Sequence, residues 1–194
     1  MNPIKLLYFF PIPLLISLLI LILVISKNRK RGWSYLLGLA LFGFYLLAII
    51  EILFFPIPVP ANWPANLTWQ STIQSLSQVN LIPFNYGPMF LHSTSPFTYR
   101  DVIANILLTI PFGFGICFLI PLRNKQIFLT SVGAGLALEG VQLLMKLSLG
   151  VFFHTVDITD VLMNALGVLA GSGLYRVVLW IFHRFQEHTQ KPIR

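Results

Sequence analysis

About five stretches of this 194-residue chain are apolar over the length a helix needs to cross a bilayer, and they constrain the fold more than any other feature. A hydrocarbon core of roughly 30 Å takes about 20 helical residues. The stretches are Leu6 to Ser26, Gly32 to Phe55, Asp101 to Leu122, Ile127 to Leu144 and Asp157 to Phe182. With 56% hydrophobic and 10% charged residues, and a mean hydropathy of +0.80, the bilayer is the expected solvent. The fold class that follows is all-α: a polytopic transmembrane bundle of about five spanning helices.

Punctuation divides the chain. Residues 1–55 read as two N-terminal helices around a basic turn. The first resembles a signal peptide only superficially, because it lacks a small-residue cleavage site and ends in Lys27, Arg29, Lys30 and Arg31, so a retained helix is expected. Pro56, Pro58, Pro60 and Pro64 close the second helix. Residues 56–100 then form a long loop with Trp63, Trp69, Phe84, Tyr86, Phe90, Phe97 and Tyr99, an aromatic composition suited to a membrane interface. Residues 101–182 hold three more helices, turned at Arg123 and Lys125, and 183–194 form a polar tail.

Positive charge sets the expected orientation. The 27–31 run, the 123–125 turn and the tail (Arg184, Lys191, Arg194) fall on one side, while Lys5, Arg100 and Lys146 fall on the other. Arg176 lies within the last helix, close enough to the richer side to snorkel. The richer side is expected to be cytoplasmic, which places the N-terminus outside and the C-terminus inside a bacterial plasma membrane.

These basic residues flank apolar runs and form no stripe on a polar face, so the net charge of +7 is not a nucleic-acid signature. Cys117 is the single cysteine, which excludes an intrachain disulfide or a thiolate metal site. No metal or cofactor is expected. Ser131, Ser148 and Ser172 lack a hydrolase turn, and no phosphate loop or dinucleotide fingerprint is present. His92, His183 and His188 read as solvated, and His154 as an interfacial residue before it reads as a metal ligand or proton shuttle.

The chemistry lies in the acids. Four of the six, Asp101, Glu139, Asp157 and Asp160, fall inside or at the ends of the last three helices, where charge is costly. Asp157, Asp160 and Asn164 are spaced i, i+3, i+7 on one helical face, which Gly167 and Gly171 continue as a stripe for close helix approach. Glu139 and Gln142 repeat the i, i+3 spacing, and Asp101 and Asn105 are i, i+4, followed by Pro111 and Gly113, where a kink or an unwound turn is expected in mid-span. At about 1.5 Å of rise per residue, Asn105, Glu139 and Asn164 lie roughly 5, 9 and 10 Å below the outer ends of their helices. One polar layer in the outer leaflet, forming a pocket that opens outward, is therefore expected.

Polar groups between membrane helices also serve simply as glue. Against that reading, only Arg100, Lys146 and His154 are placed to neutralise four acids. Glu139 is the deepest, among Leu136, Leu138 and Leu143, and would donate a hydrogen bond as the neutral acid.

The pattern resembles the VanZ-like family of small membrane proteins, named for a protein associated with resistance to the lipoglycopeptide teicoplanin. The resemblance rests on Asn80-Leu81-Ile82-Pro83-Phe84; Arg100, Asp101 and Asn105 followed by Pro111-Phe112-Gly113; Glu139 and Gln142; and Asp157, Asp160, Asn164 and Gly167. It spans about Val79 to Gly171, leaving the first two helices to hydropathy alone. The family usually has arginine where this chain has His154, so any phosphate or acid pairing made by that arginine would here require a charged histidine. The resemblance implies a cell-envelope protein whose pocket engages a membrane lipid or lipid-linked ligand and lowers antibiotic susceptibility. Other readings are an enzyme acting on a lipid-linked substrate with Glu139 or Asp160 as acid or base, a proton-coupled lipid transporter, and a scaffold for partners.

Overall fold

The computed structural model describes residues 4–8, 11–85, 96–149 and 156–189, the side chains of 96–99, 188 and 189 excepted. Among these, six helices and one two-stranded pairing are formed. The helices are α1 (Ile12–Lys27), α2 (Trp33–Phe54), α3 (Trp69–Leu76), α4 (Pro96–Leu119), α5 (Asn124–Leu149) and α6 (Ile158–Thr189). The all-α bundle expected from hydropathy is the observed architecture. Four helices, α2, α4, α5 and α6, are long and apolar enough to cross a membrane. The fifth expected span is shorter than its apolar run, because Ile4–Leu7 at its start forms β1, leaving α1 with 16 residues, roughly 24 Å of helix.

Strand β1 pairs antiparallel with β2 (Ile57–Pro60), with Ile4 opposite Pro60 and Leu7 opposite Ile57. This pairing was not foreseen in the proline-rich stretch. It ties the start of the chain to the segment that follows α2, so both lie at one end of the bundle. The opposite end carries the turn from Lys27 to Arg31, closed by the Asn28 carboxamide donating to the Val24 carbonyl at 2.8 Å, and the 120–123 turn. Helix α3 lies inside the expected long loop and begins with a capping box in which Thr68 and Ser71 satisfy each other's backbone N–H groups. The loop before it also closes α5: Trp63 Nε1 donates to the Ser148 carbonyl at 2.8 Å and Asn66 Nδ2 to the Leu149 carbonyl at 2.7 Å. These bonds satisfy carbonyls that a helix C-terminus otherwise leaves open.

The tight part of the bundle is α4, α5 and α6. In hydrocarbon there is no hydrophobic force between helices, so small residues that admit close backbone contact hold them together. A Cβ on Gly171 would overlap the Ile110 carbonyl oxygen and the Phe114 nitrogen, and one on Gly167 would overlap the Ile106 carbonyl and Thr109 Oγ1. Gly113 presses in return on the Val168 carbonyl, and Gly135 brings α5 onto the Val161 carbonyl of α6. Val168, at this seam, is fully buried, and Ser172 beside it donates to the Val168 carbonyl at 2.9 Å. Outward-facing Leu107 and Leu144 are exposed, as an acyl-chain solvent permits.

Pro111 stands in mid-span inside α4, which continues through it, and withholds the N–H that would reach the Leu107 carbonyl. Three residues before it the Tyr45 hydroxyl of α2 donates to the Leu108 carbonyl at 2.6 Å, which ties α2 to this stretch of α4.

Candidate functional site

At the end of the bundle that carries the β pair, α6 starts on Asp157. Its carboxylate accepts the Thr159 backbone N–H at 2.7 Å, the bond of an N-cap residue to the second helical N–H. A carboxylate also suits this position electrostatically, at the positive end of the helix dipole. The other Asp157 oxygen accepts from Asn80 Nδ2 at 2.9 Å. Asn80 is itself held against this point by a backbone bridge, its N–H donating to the Val156 carbonyl and its carbonyl accepting from Ile158, both at 2.9 Å. The Asn80 carboxamide also donates to the Asn85 carbonyl and accepts from the Ile82 N–H.

The turn that follows reaches α6 as well. Phe84 has a positive φ of 59°, and its N–H donates to the buried Thr159 hydroxyl at 2.9 Å. Its own side chain and that of Pro83 are exposed. Asn80 through Phe84 is thus a strap fastened across the start of α6.

Within the helices, Asn105 Nδ2 of α4 donates to Asp160 Oδ1 at 2.6 Å. From α5, Glu139 Oε2 accepts the Asp157 backbone N–H at 3.2 Å. Glu139 is 5% exposed, so this acid of α5 is buried against the N-terminus of α6. It lies within electrostatic reach of both Asp160 and Asp157, and Asp160 within reach of Asp157 and Asp101. Three helices and the strap therefore gather four carboxylates around one point. Among the described residues no ion pair reaches any of them, and no group of three or more His, Cys, Asp or Glu has the arrangement of a metal site.

The remaining expected residues are distributed around this centre. Asn164 is buried one turn deeper than the Asn105–Asp160 bond, where its backbone carbonyl accepts from the buried Thr109 hydroxyl at 2.9 Å. The expected single layer is therefore two adjacent turns, because α6 is staggered relative to α4. Gln142 is half-buried one turn along α5 from Glu139, while Arg100 and Asp101 are exposed at the start of the α4 span. Gly113 and Gly167 belong to the seam below and position the site without entering it, while Pro111 is exposed on the side of α4 that faces α2. His154 lies outside the described residues, as do Tyr86, Phe90, His92 and the side chains of Phe97 and Tyr99.

Three residues were missed by sequence reasoning. Thr109 and Thr159 join the network through hydroxyls, Thr109 one turn after Asn105 and Thr159 two residues after Asp157. The third is Lys146, counted among the cations able to neutralise the acids but not expected to be buried. It is 2% exposed. Its spacing from Gln142 and Glu139, i+4 and i+7, places it on their face of α5 and was the available signal.

No curated protein and no solved structure matches this chain. The family model VanZ/LLP1 matches residues 42–181, which takes in α2 from Phe42 onward, the strap, and α4 to α6 almost to their ends. That match covers most of the sequence and reaches further toward the N-terminus than the motifs alone. The chain, a multi-pass helical membrane protein, belongs to the VanZ/LLP1 family.

Proposed function

We propose that the acidic end of the bundle is an outward-facing pocket that engages an amphiphilic, lipid-linked envelope ligand, and that this engagement lowers susceptibility to lipoglycopeptides such as teicoplanin. The observation that carries the reading is the gathering of Glu139, Asp157, Asp160 and Asp101 without an ion pair among the described residues. Intramembrane acids are expensive, and those that are retained commonly mark a ligand or ion path. The polar groups divide by task. Asp157 caps α6 and Asn80 docks the strap, so both are spent on the fold. The second oxygens of Glu139 and Asp160, the Asn164 and Gln142 carboxamides, and Asp101 are the groups left to meet a ligand, whose complementary chemistry is a cationic or hydrogen-bond-donating headgroup.

In this reading the end with the N-terminal strand faces out, and the Lys27–Arg31 run, Arg123, Lys125 and the C-terminal residues face the cytoplasm of a bacterial cell. The experiment is expression of wild type, Glu139→Gln and Asp160→Asn at equal membrane levels in a sensitive Gram-positive host, scored against teicoplanin and vancomycin. Protection against teicoplanin alone, lost in both variants, is expected. Equal protection by all three proteins would remove the pocket from the mechanism, and no protection by wild type would remove the antibiotic.

A further inference from the structure

A cavity lies toward the opposite end of the bundle, independent of the acidic site. It occupies about 610 Å³ between α2, α4 and α6. Its walls run from Trp33 to Tyr45 along α2 and include Phe42, Phe114, Phe118 and Leu174. Its cause is in the sequence. Helix α2 meets α4 by fitting Phe42 over Gly115 and receiving Phe118 over Gly38, two ring-on-glycine contacts. Large rings seated on single glycines hold the helices apart beside those points, leaving a gap faced almost wholly by apolar groups. In a bilayer a dry gap of this size forfeits dispersion contacts along its walls, so hydrocarbon is its natural filling.

Length and charge specify the hydrocarbon. From Trp33 to Tyr45 the cavity wall covers roughly 18 Å of helix, close to the depth of one leaflet, half of a core of roughly 30 Å. Its mouth, at Trp33 and Ser34, opens directly after the run Lys27, Arg29, Lys30, Arg31. The Arg31 guanidinium lies 4.5 Å from the Tyr35 ring centre, which holds the charge beside the mouth. Helix α2 begins there on Gly32 with no side-chain cap, so its first N–H groups are left to an external acceptor.

We propose that this cavity binds one acyl chain of an anionic phospholipid, with the phosphate against Lys30, Arg31 and the start of α2. The test is native mass spectrometry of the purified full chain after exchange into micelles holding equal amounts of phosphatidylglycerol and phosphatidylcholine with the same chains. Wild type is expected to retain phosphatidylglycerol preferentially, by about fivefold for each basic side chain engaged. Lys30→Gln with Arg31→Gln should bring the ratio close to one, and Leu41→Trp, which fills the cavity, should reduce retention of both lipids. Equal retention of the two lipids by wild type, or undiminished preference in the charge variant, overturns the headgroup assignment. Unchanged retention in a folded Leu41→Trp overturns the chain assignment. Should that variant fail to fold, wild type is labelled with phosphatidylglycerol carrying a photoactivatable group in the chain. Adducts within residues 33–45 or 110–118 support the proposal, and adducts confined to other segments refute it.

Discussion

The α4–α6 seam makes a quantitative prediction, because glycines on a single helix differ in what stands over them. Replacing Gly171 with alanine places a methyl group into the Ile110 carbonyl and the Phe114 nitrogen, both backbone atoms that cannot rotate away. Replacing Gly173 adds the same methyl group with nothing within 4 Å of it. Both substitutions gain the helix preference of alanine over glycine, on the order of 0.5–1 kcal/mol. Only Gly171→Ala must also separate two helices, an overpacking cost of about 1–3 kcal/mol or more. Gly173→Ala should therefore be neutral to mildly stabilising, and Gly171→Ala destabilising, with a difference between them of about 1–3 kcal/mol. The assay is thermal or denaturant unfolding in one detergent, following helical circular dichroism. The separation acts about 16 Å along α6 from the 2.6 Å Asn105–Asp160 bond, but on the same α4–α6 contact that holds it, so Gly171→Ala should lose more function than its stability loss explains. Equal stability of the two variants would refute the seam as the element that sets the geometry of the site.

Three further outcomes follow from single hydrogen bonds. Asp157→Ala removes the α6 cap, at about 0.5–2 kcal/mol, and releases Asn80, so limited proteolysis should cut the 77–85 strap faster, whereas Asp157→Asn should preserve much of the protection. Tyr45→Phe leaves the Leu108 carbonyl without its hydroxyl partner and should lower stability by about 0.5–1.5 kcal/mol, read from the unfolding midpoint. Trp63→Phe keeps the ring but removes the donor to Ser148, so hydrogen exchange at the end of α5 should accelerate while exchange at the Gly171 seam stays unchanged.

Hydropathy made the bundle legible because a bilayer demands apolar length above all else, and the helices end near the prolines, basic turns and acids that marked them. Helical periodicity put Asp157, Asp160 and Asn164 on one face, and Asn105 on α4 meets that face at Asp160. Depth was less legible. Counting rise from each helix end treats the ends as level, yet α4 begins at Pro96 and α6 is staggered against it, so Asn164 stands beside Thr109 and not Asn105. The division of labour among the acids was not legible at all. Asp157 and Asp160 are identical in type and three residues apart, but one is the cap of a helix and the other faces α4. The β pair escaped because its stability comes from a partner more than fifty residues away, and two of the four residues in β2 are prolines.

Lys146 poses the sharpest conflict between stability and use. All six acids of the chain lie among the described residues, and none is an ion-pair partner of this lysine, although it is 2% exposed. It stands in the last turn of α5, where carbonyl ends of the helix favour a cation. The nearby Asn66 holds the Leu149 carbonyl through Nδ2 while its own Oδ1 is buried with no partner among the described residues. A largely buried lysine without a carboxylate partner is a weak stabiliser, and replacing it with an apolar side chain of similar length is expected to be neutral or favourable. Lys146→Met should therefore unfold at the same temperature as wild type or a higher one. If the lysine serves the adjoining acidic site, teicoplanin protection should fall in that same variant, and Lys146→Arg should restore part of it. A clear loss of stability in Lys146→Met would instead make the ammonium a structural cap of α5, and the conflict would dissolve in favour of the fold.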